Sequence, residues 1–320
     1  MMEPNIMKKI TLLLTFVLLS SLFLVSCSND TNDNEEEANT KEVSQDKEKQ
    51  EEKTEKKEAE KKEELPKESQ AVTEFPWDED ADFKEALEEN NTDVLIAGFS
   101  TVFDDSTPEE FENIELASSI INGTVVKPGE VFSQNETAGP YTEERGYKEG
   151  LVYVGGEAML DYGGGVCNVA TTLYNTSIAS DIDIVERHNH SMPVPYVPYG
   201  QDAAVAYGYK DFKFKNNTDD PMLIWTELKD NRLYMGFYGK EAAPEVVWEH
   251  ETLSETETTT KYEDNPELNE GEEKVIVEGM DGKVVESVLK IKDEDGEEKI
   301  KEIGQSNYNP LMNIIERNEQ

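Results

Sequence analysis

The chain has 320 residues, with 30 Lys and Arg against 71 Asp and Glu, so its formal net charge at neutral pH is −41. A surface this acidic repels phosphate backbones and anionic lipids. We therefore expect no nucleic-acid partner, and a membrane contact only through a covalent anchor. Two cysteines are too few to build a disulfide framework.

Residues 1–26 predict a secretory signal peptide. Lys8 and Lys9 precede an apolar run from Ile10 to Val25, which is the charge pattern of such signals. The segment Leu24-Val25-Ser26-Cys27 resembles a bacterial lipobox, and that resemblance implies cleavage before Cys27 and a diacylglyceryl group on its sulfur. An uncleaved membrane anchor is the alternative. Either outcome places the rest of the chain at the outer face of the bacterial cytoplasmic membrane, facing the cell wall.

Residues 27–74 predict a disordered, charged stalk. Residues 28–70 contain 16 acidic and 9 basic side chains and very few apolar ones. Such a segment cannot bury enough apolar surface to offset the conformational entropy lost on folding. Because the net charge of these residues is only −7, most of the negative charge belongs to residues 71–320, which we expect to fold.

The first folded segments predict a helix over 81–89, a strand over 94–103 and a second helix. The second helix opens at Thr107-Pro108-Glu109-Glu110, a capping box with proline in the first turn. Apolar residues then recur at helical spacing as far as Ile121, which indicates a helix that packs on the core. We assign it no chemistry.

Cys167 is the first candidate functional residue. Gly163, Gly164 and Gly165 precede it and permit backbone conformations closed to other residues, and the apolar spacing after Asn168 is helical. At a helix N-terminus the dipole lowers a thiol pKa, and free N–H groups can hold an oxyanion. We predict Cys167 as a nucleophile, with the three glycines and Asn168 as substrate-binding residues. The alternative is a buried cysteine that acts as a small apolar residue.

Arg187-His188-Asn189-His190 and Asp202 complete the candidate site. On an extended strand His188 and His190 point to the same face. Cys167 with one of these histidines as base and Asp202 as its orienting group would perform acyl transfer. Cys167, His188 and His190 could instead hold a tetrahedral metal ion with one open position. Purely structural histidines are a third interpretation, and Arg187 is predicted to bind substrate.

The remaining patterns predict strands. Residues 222–228 and 233–238 form a hairpin pattern, after a short alternating segment at 211–215. Further along, Asp281-Gly282 and Asp295-Gly296 predict hairpin turns between strands 275–278, 284–291 and 298–303.

These blocks together resemble the VanW family, named for an accessory protein of vancomycin-resistance clusters. The resemblance covers about residues 111–239. Its blocks are Asn122-Gly123, Pro128-Gly129-Glu130-Val131-Phe132-Ser133, Gly146-Tyr147, Gly163-Gly164-Gly165-Val166-Cys167, Thr171-Thr172-Leu173-Tyr174-Asn175, Glu186-Arg187-His188-Asn189-His190-Ser191 and Gly200-Gln201-Asp202-Ala203. Asn168 and Ala170 stand where the family usually has Gln and Ser.

The C-terminal segment resembles a second family, the G-five (G5) domain. The resemblance rests on five spaced glycines, Gly271, Gly279, Gly282, Gly296 and Gly304. It implies a thin β-structure with little core that binds wall polymers containing N-acetylglucosamine. A spacer is the alternative.

The sequence as a whole predicts an α+β VanW-like domain over 75–240, with a mixed or antiparallel sheet and a few helices. A small all-β G5-like domain over 245–305 and a tail over 306–320 follow. The expected function is that of a lipid-anchored, cofactor-free protein acting at the cell wall, as a cysteine-dependent acyl transferase or peptidase on peptidoglycan. The alternatives are a non-catalytic protein that binds peptidoglycan or another wall polymer, and a metal-binding protein.

Overall fold

The computed structural model describes residues 68–104, 106–154, 157–292 and 296–318. The predicted signal peptide, the Cys27 lipidation site and nearly all of the predicted stalk lie outside the described residues. Within the described ranges, no helix has the length and apolar character needed to cross a bilayer.

An N-terminal region, residues 70–239, combines helices and strands. Its helices are α1 (Ala81–Asn90), α2 (Pro108–Ile121), α3 (Gln134–Ala138) and α4 (Val166–Ala179). Its strands are β1 (Gln70–Ala71), β2 (Val94–Val102), β3 (Val125–Val126), β4 (Val131–Ser133), β5 (Glu149–Val154), β6 (Glu157–Tyr162), β7 (Asp183–Glu186), β8 (Lys213–Lys215), β9 (Met222–Lys229) and β10 (Arg232–Gly239).

An antiparallel sheet in the order β1-β2-β10-β9-β3 organises this region. Strands β9 and β10 are joined by a tight turn in which Asp230 has a φ of 56°, and the predicted hairpin is confirmed. Strands β4, β8 and β7 form a smaller sheet, and β5 pairs with β6 alone. The predicted strand over 94–103 is likewise confirmed as β2.

Helices cover both faces of the five-stranded sheet. Helices α2 and α4 share one large apolar core with strand residues such as Leu233 and Phe237. Helix α1 covers the opposite face, where Phe83 packs in a separate aromatic cluster with Trp77 and Tyr238. The layered arrangement buries apolar side chains on both sides of the sheet, which is how such a sheet gains most of its stability.

The predicted starts of α2 and α4 are confirmed by the structure. The Thr107 hydroxyl accepts a hydrogen bond from the Glu110 N–H, and the Glu110 carboxylate accepts one from the Thr107 N–H. Helix α4 begins after Gly165, whose φ of 100° few other residues tolerate. The predicted position of Cys167 at a helix N-terminus is therefore confirmed: it is the second residue of α4.

A C-terminal region, residues 245–317, consists of strands. These are β11 (Glu245–Thr256), β12 (Thr260–Asp264), β13 (Glu273–Val277), β14 (Gly282–Lys292), β15 (Glu298–Asn307) and β16 (Asn313–Arg317). They form two three-stranded sheets, β11-β14-β15 and β12-β16-β13. The fold class predicted from the sequence, an α+β region followed by a small all-β region, is confirmed.

Two details of the C-terminal region differ from the sequence prediction. Asp281-Gly282 is not a hairpin turn, because β13 pairs with β16 while β14 pairs with β11 and β15. Residues 306–317 are not a separate tail, because they contain the end of β15 and the whole of β16. Both differences have one cause: β16 returns to hydrogen-bond with β13, a long-range pairing that no local turn signal encodes. The β14–β15 pairing is as predicted.

Candidate active site

The glycine loop before α4 fixes the start of the helix. Gly163 and Gly165 have positive φ, and a Cβ on Gly164 would lie 2.5 Å from the Gly150 carbonyl carbon. The Gly164 carbonyl accepts a hydrogen bond from Asn113 of α2 at 2.8 Å. The loop is thus held tightly against β5 and α2. The glycines predicted to bind substrate act in this structure as close-packing residues that place Cys167.

Cys167 is one of the few residues of α4 that reach solvent. The helix is otherwise buried almost throughout, whereas the Cys167 side chain is partly exposed. Its thiol donates to the Val205 carbonyl at 3.5 Å and accepts from the Val205 N–H at 3.4 Å, and hydrogen bonding and charge of the His190 side chain lower the pKa of this thiol. The side chain also packs against the main apolar core, so Cys167 lies at the edge of that core and not inside it.

His190 is oriented by Asp202. The imidazole Nδ1 donates to Asp202 Oδ2 at 2.6 Å, and the His190 backbone N–H donates to the same oxygen at 2.7 Å. This leaves Nε2 as the ring nitrogen for the thiol. Asp202 is buried, with a side-chain exposure of 1%, while the His190 side chain keeps 23% exposure. Cys167, His190 and Asp202 therefore follow the order of thiol, imidazole and carboxylate found in cysteine nucleophiles with a base, and the thiol end is partly exposed.

His188 does not join this series. Its Nε2 lies 3.1 Å from Glu186 Oε1, and the other oxygen of Glu186 accepts from Lys213 Nζ at 2.8 Å. The predicted shared face fails because β7 ends at Glu186, so residues 188 and 190 do not lie on a continuous strand. In the part of the chain that the structure describes, no three His, Cys, Asp or Glu side chains are grouped to hold a metal ion. The metal-site hypothesis thus loses one of its three ligands.

Arg187 is directed at Asp202 and not at the thiol. Its Nη2 donates to Asp202 Oδ1 at 3.1 Å and its Nε to the Asp202 carbonyl at 2.8 Å. Its Nη1 donates to Ser306 Oγ at 2.7 Å, and the guanidinium lies 4.9 Å from the centre of the Tyr174 ring. The sequence predicted a substrate-binding arginine, whereas the structure shows one that fixes the carboxylate and contacts the C-terminal region.

The charges of the three groups favour a thiolate–imidazolium pair. Burial raises the pKa of Cys167, but the hydrogen bond and charge of His190 outweigh burial and lower that pKa below its usual value. Burial lowers the pKa of His190, but Asp202 and Cys167 together raise it to about 9. Burial likewise raises the pKa of Asp202, and His190 with the Arg187 guanidinium brings it below the usual range. At neutral pH the His190 imidazole therefore carries a proton, and the lowered pKa of Cys167 favours the thiolate form of its side chain.

The sequence reading missed the residues that complete the carboxylate's surroundings. The Tyr308 hydroxyl donates to Asp202 Oδ1, and it accepts a hydrogen bond from the Gly200 N–H at 2.8 Å. Ser306 binds Arg187, as described above. Tyr308 and Asp202 are 106 positions apart in the chain. Only the aromatic side chain within the predicted tail could have drawn attention to Tyr308.

A cavity of about 640 Å³ lies on the far side of the glycine loop. It is bordered by α2 and by the β5–β6 hairpin, and its lining includes Glu109, Lys148, Gly150 and Leu160. Gly150, which packs on Gly164, separates it from the start of α4. Because its lining includes none of the three candidate catalytic residues, we assign it no role in the chemistry.

The two regions correspond to two known families. The family model described as "VanW like protein" matches residues 109–238, and the G5 domain model matches residues 248–316. YoaR of Bacillus subtilis strain 168 is 36% identical over 146 residues, which cover 46% of this chain and 48% of YoaR. The vancomycin B-type resistance protein VanW of Enterococcus faecalis is 30% identical over 148 residues, which cover 44% of this chain and 54% of VanW.

The chain therefore aligns with about half the length of each of these relatives. Among solved structures, the G5 domain of an IgA1 protease is 29% identical and covers 24% of this chain and 93% of its own, with a TM-score of 0.16. The family matches agree with the resemblance drawn from the sequence motifs. Residues 109–238 are a VanW-like domain and residues 248–316 are a G5 domain.

Proposed function

We propose that this protein acts at the cell wall as a cysteine-dependent acyl transferase or peptidase on peptidoglycan stem peptides. The VanW-like and G5 domains support the association with the wall. The observation that carries the catalytic part is that His190 Nδ1 lies 2.6 Å from Asp202 Oδ2, while the same His190 side chain lowers the pKa of the Cys167 thiol. Anchoring through a Cys27 lipid belongs to the same proposal and rests on the lipobox resemblance.

The proposed chemistry is acyl transfer through a thioester. The Cys167 thiolate attacks the carbonyl carbon of a peptide bond, and the proton on His190 Nε2 passes to the nitrogen of the leaving amine as the C–N bond breaks. An acceptor amine or water then attacks the thioester carbonyl, gives its proton to His190 and releases the thiolate. An amine acceptor makes the reaction a transfer, and water makes it a hydrolysis.

The first turn of α4 can stabilise the oxyanion of both steps. The N–H groups of a helix's first turn lack intrahelical acceptors, and the dipole favours negative charge there. In α4 the Val166 and Asn168 N–H groups already donate to the Gly163 and Gly165 carbonyls, so we assign the oxyanion to the Cys167 N–H and the helix dipole. Donors placed where charge develops supply a large part of catalysis in acyl transfer.

Trapping of the acyl-enzyme tests this proposal. Purified full-length protein is incubated with peptidoglycan stem peptides, quenched in acid and analysed by intact mass and peptide mapping. We expect a thioester adduct on the peptide that contains Cys167, and none in Cys167→Ala. His188→Ala is the matched control, because His188 is close in sequence but contacts Glu186, and it should retain the adduct. Absence of any adduct in the wild type, together with unchanged muropeptides in cells carrying Cys167→Ala, would contradict the proposal.

Non-catalytic binding of a wall polymer is the second candidate function. It is favoured by the β12-β16-β13 sheet, in which β12 is exposed along its length. On this sheet the Arg317 guanidinium lies over the Tyr262 ring, 4.1 Å from the ring centre. The test is sedimentation of wild type and Cys167→Ala with purified peptidoglycan. Equal retention of both proteins without any thioester favours a binding protein. If both proteins are retained and the wild type also forms the thioester, the result favours an enzyme with a binding domain.

A further inference from the structure

The carboxylate of the triad is held from two sides. Asp202 Oδ2 accepts both hydrogen bonds from His190, whereas Oδ1 accepts one from Arg187 and one from Tyr308. A buried carboxylate is costly unless its oxygens are hydrogen-bonded. Two of its donors depend on the C-terminal region, because Tyr308 belongs to that region and Arg187 is itself fixed by Ser306.

The Tyr308 side chain is rigidly placed. It is 6% exposed, its backbone N–H donates to the Lys283 carbonyl of β14 at 2.8 Å, and its ring packs edge-on against Tyr199 at 5.3 Å. The hydroxyl also accepts the Gly200 N–H, so it can donate its proton in only one direction, to Asp202. The backbone of Tyr308 is thus fixed by β14 of the G5 domain, and its side chain by Tyr199 and Gly200 of the segment that carries Asp202.

The segment that bears the triad histidine and carboxylate is bound to the C-terminal region at several further points. Asn189 Nδ2 donates to the Asn307 carbonyl at 2.8 Å, and the Asn309 N–H donates to the Ser191 carbonyl at 2.8 Å. Gln201 Nε2 donates to His250 Nε2 at 2.9 Å, and His250 Nδ1 in turn lies 2.8 Å from Ser287 Oγ. These contacts flank His190 on one side and Asp202 on the other.

From this geometry we infer that Tyr308 is a positioning residue of the VanW-like active site, through which the G5 domain holds Asp202 and thereby the imidazole of His190 against Cys167. The inference rests on the proposed function, since it assigns Tyr308 a role in the same triad. It makes the G5 domain a structural part of the site and not a spacer. Tyr308 acts through Asp202, because its hydroxyl bonds to that carboxylate and to the Gly200 N–H.

The test is the pH dependence of Cys167 alkylation by iodoacetamide in the full-length protein, followed by mass mapping so that Cys27 is counted separately. The groups around the thiol–imidazole pair are Asp202, Arg187, Tyr141, Tyr196 and Tyr308. Tyr308→Phe keeps the ring and removes only the hydroxyl. We expect the midpoint of alkylation to rise by about one pH unit toward the value of about 8.5 for a free thiol, because a loosened Asp202 no longer orients His190.

Tyr199→Phe is the matched control, because its hydroxyl donates to the Asp281 carbonyl at the same contact between regions but not to Asp202. It should leave the alkylation midpoint unchanged. An unchanged or lowered midpoint in Tyr308→Phe would overturn the inference. Should Tyr308→Phe fail to fold, Ser306→Ala tests the same support through Arg187, with the same expected direction. Because alkylation needs no substrate, its result is independent of whether stem peptides form the thioester.

Discussion

The two regions of this molecule differ in how much of their apolar surface is buried in a core of their own. The N-terminal region encloses a continuous core in which α4 is buried almost throughout, and aromatic and branched residues fill both faces of its sheet. The C-terminal region buries few side chains of its own. Leu289 and Ile291, two of those it does bury, belong to the same core cluster as Leu173 and Phe212 of the N-terminal region.

This difference matches the parts that the two regions play at the candidate site. The three residues of the proposed triad all come from the N-terminal region, where a close-packed core holds side chains in place. The C-terminal region contributes a face that packs against the segment carrying His190 and Asp202, while β12 and β13 remain largely exposed. The C-terminal region thus packs one of its two sheets against the candidate site and leaves the other largely exposed. Four predictions test this division.

The largest expected effect concerns the base. His190→Ala should reduce thioester formation by about 10²–10⁴-fold, because the thiol loses both its proton acceptor and the cation that stabilises the thiolate. His188→Ala should stay close to wild type. Initial rates of adduct formation measure both variants. Comparable losses in the two variants would mean that the chemistry is not confined to the triad seen here.

The pH profile of alkylation should have two steps in the wild type. The lowered pKa of Cys167 makes the thiolate appear below the usual range, and a second rise should follow near pH 9, where His190 loses its proton and the thiolate becomes more nucleophilic. His190→Ala should show one step near pH 8.5, about the free-thiol value. At pH 6.5 an unperturbed thiol is only about 1% ionised, so the wild type should react up to about 100-fold faster. A single step near pH 8.5 in the wild type would show that Cys167 and His190 do not form a thiolate–imidazolium pair.

The shared core predicts coupled unfolding of the two regions. Leu289→Ala, at a side chain 1% exposed, should lower the free energy of unfolding by about 2–5 kcal/mol and leave a single transition. Ile300→Ala on the neighbouring strand β15 is the control: its side chain is 62% exposed, and its effect should stay within about 0.5 kcal/mol. Chemical denaturation followed by tryptophan fluorescence and circular dichroism measures both. Two separate transitions in the wild type would show that the regions fold independently.

The smallest effect on stability is expected at the exposed sheet. Tyr262→Ala removes a ring that is 46% exposed and its contact with Arg317. The free energy of unfolding should change by about 0.5 kcal/mol or less. If this sheet binds wall polymer, the variant should sediment less with peptidoglycan while Cys167 alkylation is unchanged. Reduced alkylation in this variant would contradict the separation of the two sheets.

Features that depend on residues close together in the chain could be predicted from the sequence. The capping box at Thr107, the hairpin between β9 and β10, and the start of α4 at the glycines before Cys167 all depend on residues within a few positions of one another. Local backbone preferences and hydrogen bonds specify such elements without reference to the rest of the chain. The family blocks also identified both domains, and Cys167, His190 and Asp202 were among the residues singled out.

Which of these residues contact one another depends on the tertiary fold and could not be predicted from their spacing. It placed His190 on the thiol and turned His188 toward Glu186, because β7 ends before either histidine and the chain then follows contacts with distant segments. It directed Arg187 at Asp202, paired β13 with β16, and brought Tyr308 across 106 positions to the triad carboxylate. A buried carboxylate needs donors from every side, and the packing of two regions supplies them in a way that sequence spacing does not record.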